Sequence, residues 1–216
     1  ILSQCVMTST SAYFSHQIVS VEFGFVFFKN QKDYDLGRML RNHGMIRSLE
    51  PSHPLRIKVE KNNSSIDKDF LFAVGGTNLR ATDVHAVFGL CDFERRFDYI
   101  QHRKDIYNYY VFKLTNPNYY LPPFWDKTKQ EHVAFCLPIF IKDGTKLTKL
   151  KNKLNENGIQ TRPIIGSNLL LQPPFQKYKA DVPNAQWVHE HGCYVGLPNN
   201  LKYKDIDNLV EILNSI

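Results

Sequence analysis

The residues able to do chemistry gather in a few short stretches of this chain. "STSAYFSHQIVSVEFG" places Ser11, His16 and Glu22 ahead of Gly24. An imidazole carries protons near neutral pH and suits general acid–base transfer. The same residues also have a structural reading, because a lone histidine beside a strand packs and hydrogen-bonds well when half buried. Serine and threonine in "MTSTS" are ordinary turn-formers. His43 in "RNHG" reads as a helix C-terminal residue favoured by the dipole, with Gly44 as the C′ glycine. Gly75 and Gly76 in "GGTNLRATD" read as a tight turn entering a helix. Arg162, Asn168 and Gln172 in "GIQTRPIIGSNLLLQPPF" are polar groups suited to phosphate or sugar hydroxyls, and the forked donors of Arg162 suit phosphate best. A surface loop with an exposed arginine reads equally well there. His189 and His191, two apart, make a poor helical metal pair, so no metal is assigned.

These residues need elements to hold them. "IVSVEFGFVFF" (18–28) is rich in β-branched and aromatic residues and reads as a strand with a turn inside it. A helix follows, with Leu36, Met39 and Leu40 at helical spacing and its end at Gly44. From Met45 to Phe70 periodicity is weak, and the stretch reads as a long excursion. Val84, Val87, Phe88, Cys91, Phe97, Ile100, Ile106 and Tyr110 then hold a mainly helical spacing, with Thr82 or Asp83 as cap. That predicts one long helix of about eight turns. Beyond the proline-marked "NPNYYLPPFWD" come a strand in "HVAFCLPIFI" and an amphipathic helix closed by Gly158. A loop marked by Pro163, Pro173 and Pro174 follows, then a helix near Asn184 to His191, a short strand "CYVGLP" and a helix from Tyr203. The alternation predicts an α/β chain with a smaller α+β lobe, divided as residues 1–115 and 116–216.

Composition narrows the function classes. A chain of 216 residues that is 43% hydrophobic fills an ordinary core. The longest apolar stretch, "FGFVFF", is far shorter than the ~20 residues of a membrane span. The net charge of +6 is spread among 21 acidic residues, which argues against a nucleic-acid binder and fits a phosphorylated small molecule. Cys5, Cys91, Cys136 and Cys193 match neither zinc spacing nor a disulfide framework and read as buried free thiols of a cytoplasmic protein. With Ile at position 1 and no secretory pattern, the chain is expected to be a fragment.

The order Ser11, His16, Glu22, Gly24, then "RNHG", "GGTNLRATD", "GIQTRP", "SNLLLQPPF" and "NAQWVHEHGCYVGLP", resembles one family along the whole chain. It is the DegT/DnrJ/StrS-type group of pyridoxal-phosphate-dependent nucleotide-sugar enzymes, with the aspartate-aminotransferase fold (PLP fold type I). The family's S-x-x-x-x-K segment carries its Schiff-base lysine, and this chain has His16 in that place. Imidazole makes no stable imine. The resemblance is therefore strongest to the lysine-less sugar 3-dehydratase branch, which works with pyridoxamine phosphate.

That resemblance implies catalytic roles for His16 and His43 and cofactor-phosphate contacts from Ser11 and, across a homodimer, Asn78, with Arg80 beside it. Arg162, Asn168 and Gln172 would bind substrate. The partners implied are an NDP-4-keto-6-deoxysugar and glutamate. Ordinary sugar transamination and a non-catalytic partner subunit remain the alternative readings. The chain departs from the family at Phe23, where a glycine is usual, and at Leu171, where a basic residue is frequent. The family's first half is expected to lie outside this chain, which would be the C-terminal part of the large domain plus the small α+β domain, and the 216 residues alone are expected to be inactive.

Overall fold

The computed structural model describes residues 5–13, 16–120 and 133–216. The chain divides into a first unit, Ile1–Glu94, and a second, Arg95–Ile216. This boundary lies ahead of the one expected from sequence. The reason is that Ile106, Tyr107 and Tyr110 of one helix belong to the core of the second unit.

In the first unit, β1 (Met7–Ser11) and β2 (Gly24–Phe28) pair antiparallel, with Met7 opposite Phe28 and Ser11 opposite Gly24. The expected strand from residue 18 thus begins only at Gly24. Val21 lies in the left-handed region (φ 57°), and a β-branched residue there belongs to a turn. Helix α1 (Gln31–Leu40) starts on Asn30, whose side chain accepts from the Asp33 N–H at 2.9 Å and donates to the Asp33 carboxylate at 2.7 Å. Its C-cap is Arg41, so the helix stops short of Gly44. The weakly periodic stretch contains helix α2 (Pro54–Asn62), entered through Pro54 and capped by His53. None of its residues is buried, which is why no apolar period announced it. Met39, Ile46, Leu49 and Leu71 form the small core of this unit.

The expected long helix is two: α3 (Asp83–Glu94) and α4 (Arg96–Lys113), interrupted at Arg95 (φ −89°, ψ 4°). The second unit is built on a four-stranded antiparallel sheet in the order β3 (Tyr119–Tyr120), β4 (Cys136–Ile141), β6 (Gly192–Gly196), β5 (Thr161–Pro163). Leu137, Ile139 and Ile141 alternate into the core, as a one-sided strand requires. Helices α5 (Leu147–Glu156) and α7 (Tyr203–Asn214) bury Leu147, Leu150 and Leu154, and Ile206, Leu209, Val210 and Leu213. Helix α6 (Pro183–His191) leads into β6. Gly158, at φ 77°, ends α5 as the sequence predicts. Among the described residues, no helix is long and apolar enough to cross a membrane.

Candidate functional site

His16 lies on a loop that leaves β1 and returns to β2. The strand pairing continues past Ser11, because the Ala12 N–H donates to the Phe23 carbonyl at 2.8 Å and the Ser20 N–H to the Ala12 carbonyl at 2.7 Å. Ala12 and Ser20 therefore meet at the base of this connection. Within it the Tyr13 N–H donates to Ser11 Oγ at 3.2 Å, and the His16 N–H donates to the Tyr13 carbonyl at 2.9 Å. His16 Nδ1 lies 3.3 Å from that same carbonyl. A carbonyl only accepts, so Nδ1 carries the hydrogen and Nε2 is the basic nitrogen. The structure thus brings Ser11 and His16 together through Tyr13. Phe23, the bulky residue of this turn, packs its ring edge-on against Phe25 at 4.8 Å and beside the His85 ring at 6.0 Å. Glu22 is exposed.

The loop is also held from α3. The Val19 N–H donates to Asp92 Oδ2 at 2.8 Å, and the fully buried Ser20 donates its hydroxyl to the His85 carbonyl. Sequence reasoning missed Ser20, His85 and Asp92. Contacts that span so many residues leave no local pattern.

His43 and Asn78 sit on two segments laced together by backbone. The His43 N–H donates to the Thr77 carbonyl at 2.8 Å, and the Thr77 and Leu79 N–H groups donate to Leu40 and Arg41 carbonyls, each at 2.8 Å. Asn42 and Asn78 face each other as an antiparallel bridge. Glycine is what permits the approach. A Cβ on Gly76 would fall 2.4 Å from the Gly44 nitrogen, and one on Gly44, at φ 85°, would fall 1.7 Å from the Val74 carbonyl oxygen. His43 itself is left-handed (φ 60°). Asn78 Oδ1 accepts from Arg80 Nε at 3.3 Å, and among the described residues no partner engages its NH2 group.

In the second unit, Arg162 is exposed on β5, with Nη1 3.4 Å from the Thr161 carbonyl. Asn168 is buried and both its amide atoms are occupied: Nδ2 donates to Gln186 Oε1 at 2.9 Å, and Oδ1 accepts from the Leu170 N–H at 3.0 Å. In this conformation it holds the loop instead of facing a ligand. Gln172 is exposed, its N–H donating to the Leu169 carbonyl at 3.0 Å. The loop between them bends sharply, with Ile165, Gly166 and Ser167 all at positive φ (38°, 78° and 64°). His191 stacks on Trp187 at 4.9 Å with Nδ1 3.0 Å from the Trp187 carbonyl, which gives it a packing role. No cluster among the described residues could hold a metal ion.

The model of the DegT/DnrJ/EryC1/StrS aminotransferase family matches residues 4–214. The GDP-4-keto-6-deoxy-D-mannose 3-dehydratase of Yersinia pseudotuberculosis is 27% identical over 218 residues, which cover 96% of this chain and 53% of that protein. The solved Escherichia coli GDP-4-keto-6-deoxy-D-mannose-3-dehydratase with bound hydrated PLP superposes with a TM-score of 0.81 at 25% identity, covering 96% of this chain and 54% of that one. The aminotransferase TlmJ from Streptoalloteichus hindustanus shares the fold, with a TM-score of 0.79 at 18% identity over 97% of this chain and 51% of that one. The chain spans about half the length of the curated relatives it matches.

Proposed function

Since the chain belongs to the DegT/DnrJ/EryC1/StrS aminotransferase family, we propose that the protein is a pyridoxamine-phosphate-dependent dehydratase that removes the C3 hydroxyl of an NDP-4-keto-6-deoxysugar. The observation that carries this reading is His16 on the loop after β1, linked to Ser11 through Tyr13, with no lysine in the sequence before Lys29. A transaminase needs an amine there to accept and release the cofactor, and an imidazole does not serve.

The residues present fit an anionic cofactor. Ser11 accepts from Tyr13 and so keeps its O–H for donation, and the Asn78 NH2 group is a second neutral donor. Ser11 would hold the phosphate from within the subunit, and Asn78 would reach it from the neighbouring subunit of a homodimer. When bound, pyridoxamine phosphate supplies the amine and the electron-accepting ring that loss of the C3 hydroxyl requires. The chain supplies proton transfer. His16 Nε2 takes up a proton and returns it to the departing hydroxyl, which leaves as water, while Nδ1–H faces the Tyr13 carbonyl and fixes the tautomer. His43, held at its backbone by Thr77, is the second histidine of the site. Arg162 addresses the diphosphate, with Gln172 on the sugar-nucleotide side. Asn168 contributes by keeping that loop in shape. Glutamate serves as amino donor.

The experiment is an assay of the protein expressed with whatever coding sequence adjoins Ile1. Pyridoxal phosphate, glutamate and an NDP-4-keto-6-deoxysugar are supplied, and ammonia, 3-deoxysugar and amino sugar are measured. The expected result is 3-deoxysugar with ammonia, lowered by about 10²- to 10⁴-fold in His16→Ala, as for loss of a general acid–base. Accumulation of amino sugar in place of ammonia would overturn the reading in favour of transamination. Absence of cofactor binding would leave a non-catalytic partner subunit.

A further inference from the structure

The burial pattern of α3 is unusual. Along Asp83–Glu94 only His85, Gly89 and Asp92 are partly covered, and every other residue is exposed. These three are spaced i, i+4, i+7, which is one stripe on a helix. All of it faces the His16 loop. Asp92 accepts from the Val19 N–H at 2.8 Å, the His85 carbonyl accepts from Ser20 Oγ, and a Cβ placed on Gly89 would lie 3.2 Å from Ser20 Oγ. At the N-terminal end of the stripe, Thr82 Oγ1 lies 2.7 Å from His85 Nδ1, which ties the His85 ring to the start of the helix. The apolar residues of α3 that a helical pattern would bury, Val84, Val87 and Phe88, are each more than half exposed. In this unit the packed face of α3 is its polar stripe.

We propose that this stripe is the seat of His16 and that Asp92 is a positioning residue for it. The inference rests on the reading of His16 as the proton carrier. Val19 lies three residues after His16, and the other end of the loop is fixed at Ala12 by its bonds to Ser20 and Phe23. With both ends pinned, the reach of His16 Nε2 is set by where Val19 and Ser20 rest on α3. The Asp92 bond is charge-assisted and shorter and stronger than a neutral one, and the absence of a side chain at Gly89 lets the buried Ser20 lie flat on the helix. A misplacement of about 1 Å at a reacting group costs up to about 10²-fold in rate.

The test compares wild type, Asp92→Ala, Asp92→Asn and Gly89→Ala in the same expressed protein. Three readouts are followed: amide exchange at Val19 and Ser20, the NMR signals of the His16 imidazole, and kcat and KM for dehydration. Asp92→Ala is expected to speed Val19 exchange by about tenfold or more, to shift the His16 signals, and to lower kcat about 10- to 100-fold with KM within about twofold. Asp92→Asn keeps a neutral acceptor and is expected to recover most of each. Gly89→Ala favours the helix while pressing on Ser20, so it must move the His16 signals with α3 still protected; it decides the matter if Asp92→Ala does not fold. Unchanged His16 signals or unchanged kcat in a folded Asp92→Ala would overturn the proposal. If wild type shows no turnover, the dehydratase reading falls, and the exchange and imidazole readouts still decide whether α3 seats the loop.

Discussion

The two units of this chain are held by different forces. In the second, nineteen buried residues among those described, mainly from β3, β4, β6, α4, α5 and α7, form a continuous core, and Tyr110 donates to the Pro138 carbonyl and Tyr119 to the Leu213 carbonyl, each at 3.0 Å. In the first, the buried apolar cluster is four residues, while Val84, Val87, Phe88 and Leu90 stand exposed on α3. What fixes His16, His43 and Asn78 there is backbone hydrogen bonding, glycine contacts and the polar stripe of α3. The residues with the chemistry therefore sit where side-chain packing contributes least. A polar framework sets position within tenths of an ångström, whereas apolar burial is non-directional and sets mainly stability.

This contrast breaks first, if it breaks, under core truncation. Leu150→Ala removes a fully buried side chain of α5 and is expected to destabilise the second unit by about 2–5 kcal/mol. Phe88→Ser on α3 is expected to cost within about 0.5 kcal/mol, because Phe88 is 57% exposed. Urea unfolding followed by amide exchange in each unit checks both, and equal costs would end the distinction. Next in size is Gly44→Ala. Its methyl would meet the Val74 carbonyl oxygen in a left-handed conformation, for an expected loss of about 3 kcal/mol. The effect should appear as faster exchange at His43 and Thr77, with the second unit unmoved.

A third expected effect is a pH dependence of the second unit. Burial pushes the Tyr107 and Tyr119 phenols up from 10.0 to about 12 and the Cys136 and Cys193 thiols up from 9.0 to about 11, all in the second unit. Each group keeps its proton longer when folded, so the unfolded chain ionises first. The stability they represent is whole below about pH 9 and falls as pH rises through 9–11 for the thiols and 10–12 for the phenols. Urea midpoints of the second unit should therefore drop across that window.

How much of this was legible in sequence follows the same division. Leu150 and Leu154, or Ile206, Leu209, Val210 and Leu213, repeat at the helical period because a core selects them, so α5 and α7 were readable. The helical spacing of Val84, Val87 and Phe88 found α3 but not its contacts. Val84, Val87 and Phe88 suggest burial, while the covered residues are His85, Gly89 and Asp92, whose partners Val19 and Ser20 lie far off in the chain. Helix α2 has no fully buried residue and so left no period. At the site, Ser11 and His16 were readable as polar groups ahead of the strand, and Tyr13 bonds to both of them. The occupation of the Asn168 amide by Gln186 was not, because a loop asparagine looks the same whether it faces a ligand or a neighbour.

The smallest expected gain in stability lies at Val21, between the anchor Ser20 and Glu22. Its φ of 57° is unfavourable for a β-branched residue by about 1–2 kcal/mol, and glycine would relieve this at an entropic cost of about 0.5–1 kcal/mol. Val21→Gly is therefore expected to stabilise the first unit by about 0.5–1 kcal/mol, measured by local amide exchange. What matters is the Val19 amide beside it. If its protection rises or holds, the turn is over-determined by the Ser20 bonds to Ala12 and His85, and the strain is simply carried by that polar framework. If its protection falls while the unit grows more stable, the strained valine is what aims the Val19 N–H at Asp92, and the first unit gives up stability to place His16.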